Sequence, residues 1–183
     1  MQNTLIAYTS KYGGTKTCAE KIAKRLPGQT TLLDLDTTAA VDLTPYDSVV
    51  IGCSVYMGKP RKAAKKFCEQ YRDALLERNV GLFLCCIQDL DKTVAQQFEL
   101  AFPKTMMAHA TVLGTLGGVV DFTKLKLFDR FIMNIVAGDL RKKLGGDLVS
   151  TLSDERINRF SELLAAGKQA AQPQAVVSPP QKK

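Results

Sequence analysis

Residues 4–26 read TLIAYTSKYGGTKTCAEKIAKRL, and this stretch decides the architecture. Thr4 to Tyr8 is a short apolar run with the length of a buried strand. A loop of hydroxyls and glycines follows. Thr15, Cys18, Ala19, Ile22, Ala23 and Leu26 then recur at helical spacing, with Lys16, Glu20, Lys24 and Arg25 on the other face. Pro27-Gly28 stops the helix. Strand, tight loop and helix make the first half of a β–α–β unit.

The pattern repeats outward from there. Thr30 to Leu35 and Ser48 to Gly52 read as the second and third strands. Ala64, Phe67, Cys68, Tyr71 and Leu75 predict one helix behind them. Val80 to Ile87 is a continuous apolar strand of the kind covered on both faces in a parallel sheet. Val94, Phe98, Ala101 and Phe102 predict a helix ending before Pro103, and Ala110 to Leu116 a fifth strand. Thr151-Leu-Ser-Asp154 resembles a capping box for a last helix over Ile157, Phe160 and Leu164. The alternation predicts a doubly wound α/β fold, a three-layer sandwich with helices on both faces of a five-stranded parallel sheet. Residues 117–146 interrupt it as a helical insertion after strand 5. The expected organisation is one domain over 1–168 and a disordered Pro/Gln/Ala-rich tail over 169–183.

Composition agrees with one domain. The chain has 183 residues, 45% apolar and 23% charged, near the globular average. No run approaches the ~18 to 20 apolar residues of a membrane span. The opening MQNTLIAYTSKYGG lacks the form of a signal peptide, so a cytoplasmic protein is expected. Cys18, Cys53, Cys68, Cys85 and Cys86 include no C-x-x-C pair, and His109 is the single histidine. Buried thiols in a reducing compartment are expected, and no metal site. The net charge of +7 points to an anionic partner or to surface solubility. Nucleic acid is not expected, because the basic residues are spread over helices without an aromatic platform.

Ligands of doubly wound sheets sit beyond the carboxyl ends of the strands. In the first such loop Thr9, Ser10 and Thr15 offer hydroxyls, and Gly13 and Gly14 allow close backbone approach. The helix behind offers free N–H groups and its positive dipole end. Together they form a phosphate cradle, though a tight turn that binds nothing has the same outline. Lys11 adds a charge or points into water. Other phosphate motifs fail: G-x-G-x-x-G is absent from this turn, Gly52 to Pro60 has the wrong spacing for a P-loop and Pro60 in place of its hydroxyl. A phosphatase C-x5-R is absent from the first turn, and from Cys53 its arginine position is Lys59. No receiver-type aspartate ends the third strand.

Ser10-Lys-Tyr-Gly13-Gly-Thr15, Gly52-Cys-Ser54-Val-Tyr56 and Cys86-Ile87-Gln88-Asp89 resemble, in order, the three loops of the flavodoxins. Tyr12 replaces the middle threonine of the first loop. The resemblance implies strand order 2-1-3-4-5 and FMN as cofactor. It implies phosphate contacts from Thr9, Ser10, Lys11, Tyr12, Gly13, Gly14 and Thr15. Ser54, Val55, Tyr56, Met57 and Gly58 would flank the flavin ring, and Ile87, Gln88, Asp89 and Leu90 its other edge. Tyr56 is the stacking candidate, or else an ordinary loop tyrosine. Gly58 would let a carbonyl turn toward flavin N5. The flavin itself would be the catalytic group.

Gly114 to Gly138, GTLGGVVDFTKLKLFDRFIMNIVAG, resembles the insertion of bacterial flavodoxin-domain proteins related to the menaquinone-dependent protoporphyrinogen dehydrogenase. Asp129-Arg130-Phe131 carries that likeness, and Lys124 and Lys126 match its basic run only in part. It implies an FMN-dependent oxidoreductase passing electrons between a reduced substrate, protoporphyrinogen IX among the candidates, and a quinone. The alternative is an electron carrier serving a redox protein, without a substrate of its own. Phe122, Leu125, Phe128, Ile132 and Ile135 recur at near-helical spacing among Lys124, Lys126, Arg130, Arg141, Lys142 and Lys143. Such a helix suits peripheral contact through 122–143 with the inner face of a membrane, or packing on its own domain.

Overall fold

The computed structural model describes residues 2–38, 40–87, 91–125, 127, 129, 131, 134, 135, 138, 141, 142, 146–167 and 174–176. In chain order the elements are β1 (Asn3–Tyr8), α1 (Gly14–Ala23), β2 (Gln29–Asp34), β3 (Ser48–Tyr56), β4 (Lys59–Pro60), α2 (Lys62–Gln70), α3 (Arg72–Leu76) and β5 (Asn79–Cys85). They continue with α4 (Asp91–Ala101), α5 (Lys104–His109), β6 (Val112–Thr115), β7 (Val119–Asp121), β8 (Leu148–Ser150), α6 (Asp154–Ala166) and β9 (Gln174–Val176).

The main sheet runs β2-β1-β3-β5-β6-β9, every pair parallel, with β4 folded back antiparallel on the end of β3. Without the β3–β4 hairpin and β9, this is the expected 2-1-3-4-5 order. Register pairs apolar residues across the centre: Ile6 with Val50, Ile51 with Leu82, Leu82 with Leu113. Period-two alternation then sends them to opposite faces. Leu5, Ala7, Val49, Ile51, Leu82 and Leu84 bury against Phe67, Leu75, Phe98, Phe102 and Met106. Ile6, Val50, Phe83 and Cys85 bury against Cys18, Ile22, Ile157, Phe160 and Leu164. All five cysteines are buried free thiols.

Four local expectations are revised. The helix expected over Ala64 to Leu75 is two helices. Tyr71 leaves helical geometry at their junction, its ring 4.8 Å from that of Phe67 and its hydroxyl accepting from Val41 N at 3.0 Å. The cap of the last helix is Ser153, whose Oγ accepts from Arg156 N at 3.2 Å, two residues beyond the expected Thr151. The tail expected to carry no structure contributes Gln174–Val176, a strand on the open edge of β6. Residues 117–146 are not purely helical, because β7 and β8 pair antiparallel at their base. Within them Phe122 and Leu125 are buried with Val120 and Val149, whereas Ile135 is exposed. Phe128 and Ile132 lie outside the described residues.

Gly52 makes room for the edge of the sheet's central ring. A Cβ there would stand 2.2 Å from Phe83 Cζ, and Phe83 is fully buried with its ring 5.9 Å edge-on from that of Phe160. Gly52→Ala is therefore expected to cost about 1–3 kcal/mol by overpacking. In thermal unfolding this is a fall in midpoint of about 2–10 °C, and an unchanged midpoint would refute the assignment.

Candidate functional site

Three strand ends open into one cavity of about 260 Å³. Ser10, Lys11, Tyr12, Gly14 and Thr15 line it from the first loop and the start of α1. Ser54 to Gly58 line it from the second loop, and Cys85, Cys86 and Ile87 from the end of β5. Thr9, buried, and Gly13, exposed, are not part of this lining. Thr9 N donates to Gly52 O at 3.0 Å, and Thr9 Oγ1 accepts from Ser54 N at 3.3 Å, so Thr9 ties the two loops together. Gly13, at φ 87°, takes the left-handed turn that starts α1 and, as its N-cap, has no side chain to cap it. Ser10 Oγ accepts from Lys16 N at 3.5 Å, while Ser10 N donates to Asp36, which also holds the Arg61 guanidinium at 2.7 Å. Gln88, Asp89 and Leu90 lie outside the described residues.

The second loop turns through Met57 at φ 52° and Gly58 at φ 72°, between the paired Tyr56 and Lys59. Two positive φ values in a row are the geometry of a tight hairpin, natural for Gly58 and strained for Met57.

The insertion supplies the fourth wall, which sequence reasoning did not place. Gly118, Val119 and Val120 line the cavity, as do Thr93 and Gln97 of α4. Close approach depends on two glycines. A Cβ on Gly14 would meet Val119 N at 3.1 Å, and one on Gly118 would meet Cys86 C at 2.8 Å. Thr151 Oγ1 locks the arrangement by accepting from Gly118 N at 3.0 Å and lying 3.2 Å from Ile87 O. Glycines at both contacts were the only available signal.

Polar groups inside the cavity are unfinished. Thr15 Oγ1, Ser54 Oγ and Gln97 Oε1 are buried without a hydrogen-bond partner among the described residues. A buried group left so costs about 1–3 kcal/mol, and three at one cavity call for a polar ligand. Two hydroxyls suit a phosphoryl or ribityl oxygen, and the Gln97 carbonyl suits a ring N–H. These donors and acceptors, beside a helix start whose N-cap is a glycine, fit FMN.

At the mouth, donors from both loops meet Asp129 of the insertion. The Tyr12 hydroxyl donates to Asp129 Oδ2, Tyr56 Oη to Oδ1 at 2.6 Å, and Lys11 Nζ stands 3.2 Å from Oδ1. Lys11 Nζ also lies 3.5 Å from the Tyr56 ring centroid, a cation–π distance. One face of Tyr56 is thereby covered. The Tyr12 and Tyr56 rings are 5.9 Å apart, edge to face. Hydrogen bonds from Tyr12, then Tyr56, hold the Asp129 carboxyl down at about 2. Burial, then Asp129, pushes the Tyr56 phenol up to about 12 and raises that of Tyr12. His109 takes no part: it ends α5, and its Nε2 lies 3.0 Å from Arg78 O. No cluster suited to a metal occurs among the described residues.

A doubly wound parallel sheet with a phosphate-type cradle at the first strand–helix turn defines the class: a flavodoxin-like α/β protein. The chain belongs to the Flavodoxin domain family, whose model matches residues 5–143. Among solved structures it is similar to a short-chain flavodoxin associated with a non-canonical PDU bacterial microcompartment, at 16% identity over 91% of this chain and 98% of that one, TM-score 0.56. A flavodoxin from Streptococcus pneumonia is 15% identical over 90% and 98%, TM-score 0.52. A variant flavodoxin from Fusobacterium nucleatum bound to flavin mononucleotide is 15% identical over 46% of this chain and 51% of that one, about half its length, TM-score 0.40.

The sign of the Asp129 contribution follows from its depressed folded-state pKa. Its stabilisation is present above the ordinary carboxylate range of about 4 and is lost as pH falls toward 2. The midpoint difference between wild type and Asp129→Asn is therefore expected to be constant from pH 5 to 8 and to shrink between pH 4 and pH 2. Thermal unfolding across that range checks it, and a difference that grows on acidification would contradict the arrangement.

Proposed function

We propose that the chain binds FMN in this cavity and transfers electrons through it. The observation that carries the reading is the set of orphaned groups, Thr15 Oγ1, Ser54 Oγ and Gln97 Oε1, around one cavity behind the first loop. Bound flavin supplies the one- and two-electron chemistry, and the protein binds and orients it. Ser10, Gly13, Gly14 and Thr15 hold the phosphate, with Lys11 and Tyr12 at its mouth and Thr9 bracing the loop. Val55, Tyr56 and Met57 cover one ring face, and Gly58 gives the turn beside it backbone freedom. Ile87 borders the other edge, where the family resemblance also implies Gln88, Asp89 and Leu90, which lie outside the described residues.

The test is a titration of the purified chain with FMN, followed by flavin fluorescence and visible absorption. Thr15→Val is expected to weaken binding about tenfold, and thermal unfolding of the flavin-free variant shows that it is folded. Wild-type affinity in the variant would remove Thr15 from the site. No binding by wild type would leave only a scaffold.

For the electron partners we infer a membrane-soluble quinone and a reduced organic substrate, with protoporphyrinogen IX the substrate implied by the likeness of the insertion. Leu127, Phe131 and Ile135 are spaced by four residues and are 88%, 66% and 72% exposed. Lys124 and Lys142 are exposed beside them in sequence. An apolar stripe among cations suits an anionic lipid surface, where quinones dissolve. No described helix is long and apolar enough to cross a membrane, so contact would be peripheral, on the cytoplasmic face. The competing reading is an electron carrier that docks on another redox protein. Turnover of protoporphyrinogen with a menaquinone analogue in anionic vesicles separates them. The oxidoreductase is expected to turn over, and to slow at least fivefold in Leu127→Ser/Phe131→Ser. No turnover, with fast exchange to a redox protein, favours the carrier.

A further inference from the structure

We propose that Asp129 is a positioning residue of the flavin site, fixing the two tyrosines at its mouth and joining the insertion to both flavin loops. The inference rests on the FMN reading above and goes beyond it, since none of the three flavin loops contains this residue. Three donors from two segments converge on one carboxylate: Lys11 and Tyr12 from the loop after β1, and Tyr56 from the end of β3. The acceptor lies 117 residues from Tyr12 and 73 from Tyr56 in sequence, so only the folded chain brings them together.

The chemistry of the contact makes it a positioning device. A carboxylate has two oxygens and can accept all three donors at once, in charge-assisted hydrogen bonds stronger than neutral ones. A phenol has two ring torsions and one hydroxyl. Anchoring the hydroxyl fixes where both faces of the ring point. Tyr12 and Tyr56 both line the cavity, and both pack against the insertion's small core of Val120, Phe122, Leu125 and Val149. Asp129 is 14% exposed at its side chain and Lys11 31%, so the contact is screened from water more than an ordinary surface pair. With the carboxylate in place the two rings are held before a ligand arrives. Their ordering then need not be met by binding energy.

Neutralising the carboxylate separates this role from a merely structural one. Asparagine keeps the size but offers one acceptor oxygen in place of two, with an NH2 that repels the donors. We expect Asp129→Asn to raise the FMN dissociation constant about tenfold and to alter the visible circular dichroism of the bound flavin, which reports ring surroundings. Asp129→Glu is expected to recover most of the affinity. In a Tyr12→Phe/Tyr56→Phe background, Asp129→Asn is expected to add less than twofold, because coupled residues are not additive. Thermal unfolding of each flavin-free variant shows that it is folded.

Wild-type affinity and an unchanged dichroism spectrum in Asp129→Asn would overturn the proposal and leave the flavin reading standing. A full tenfold loss in the double-phenylalanine background would overturn it as well, since Asp129 would then act without the tyrosines. If the wild-type chain itself bound no FMN, the flavin reading would fall and this proposal with it.

Discussion

Parallel pairing is the constraint on which the rest of the molecule depends. Strands β1, β3 and β5 run the same way, so each ends on the same edge of the sheet. The loops that leave them must meet there. Their first backbone groups lie beyond the ladder and need other partners. Thr9 supplies some to the second loop, Ser10 supplies one to the start of α1, and Thr151 ties the base of the insertion to the end of β5. Of the four buried side-chain atoms left without a partner among the described residues, Thr15 Oγ1, Ser54 Oγ and Gln97 Oε1 belong to residues that line the cavity, and Thr30 Oγ1 does not. The site is what the sheet's own polarity leaves unfinished.

The insertion changes what kind of site this is. In a bare three-loop arrangement the loops would face water. Here Val119 of β7 lies against Gly14, and Gly118 just before it against the Cys86–Ile87 backbone, at distances where an added Cβ would crowd its neighbour. Asp129 then closes the mouth by drawing charge and two phenols onto one carboxylate. The segment is thus part of the wall. Its outer side still exposes Leu127, Phe131 and Ile135, so one element faces both the cavity and the surroundings. That double exposure links the flavin reading to the partner reading.

Charge has a divided explanation. Several cations are already committed: Lys21 and Arg25 to Asp154, Arg61 to Asp36, Arg141 to Asp147 and the Phe122 ring. These pairs join elements and contribute little to any field felt at a distance. The excess that gives +7 is carried by other exposed cations, such as Lys62 and Lys66 of α2. Net charge therefore bears on association more than on fold.

Residue pattern alone determined the strands, their order of appearance, the loop of hydroxyls and glycines after the first strand, and the family likeness. These rest on local periodicity and on short loops next to strands, and such information is contiguous in the chain. Tertiary structure alone decided the rest. Tyr71 broke the predicted helix because its ring and hydroxyl are held by Phe67 and Val41. Ser153 replaced Thr151 as the helix cap because Thr151 was taken by Gly118 and Ile87. Gln97 reached the cavity from a helix that carries no motif, and Val119 and Val120 from an insertion whose likeness said nothing of this wall; Asp129 of the same insertion reached the tyrosines at the cavity mouth. Their roles depend on which backbones approach each other in space, and an aspartate within a helical run looks like any solvated charge until three donors from elsewhere close around it.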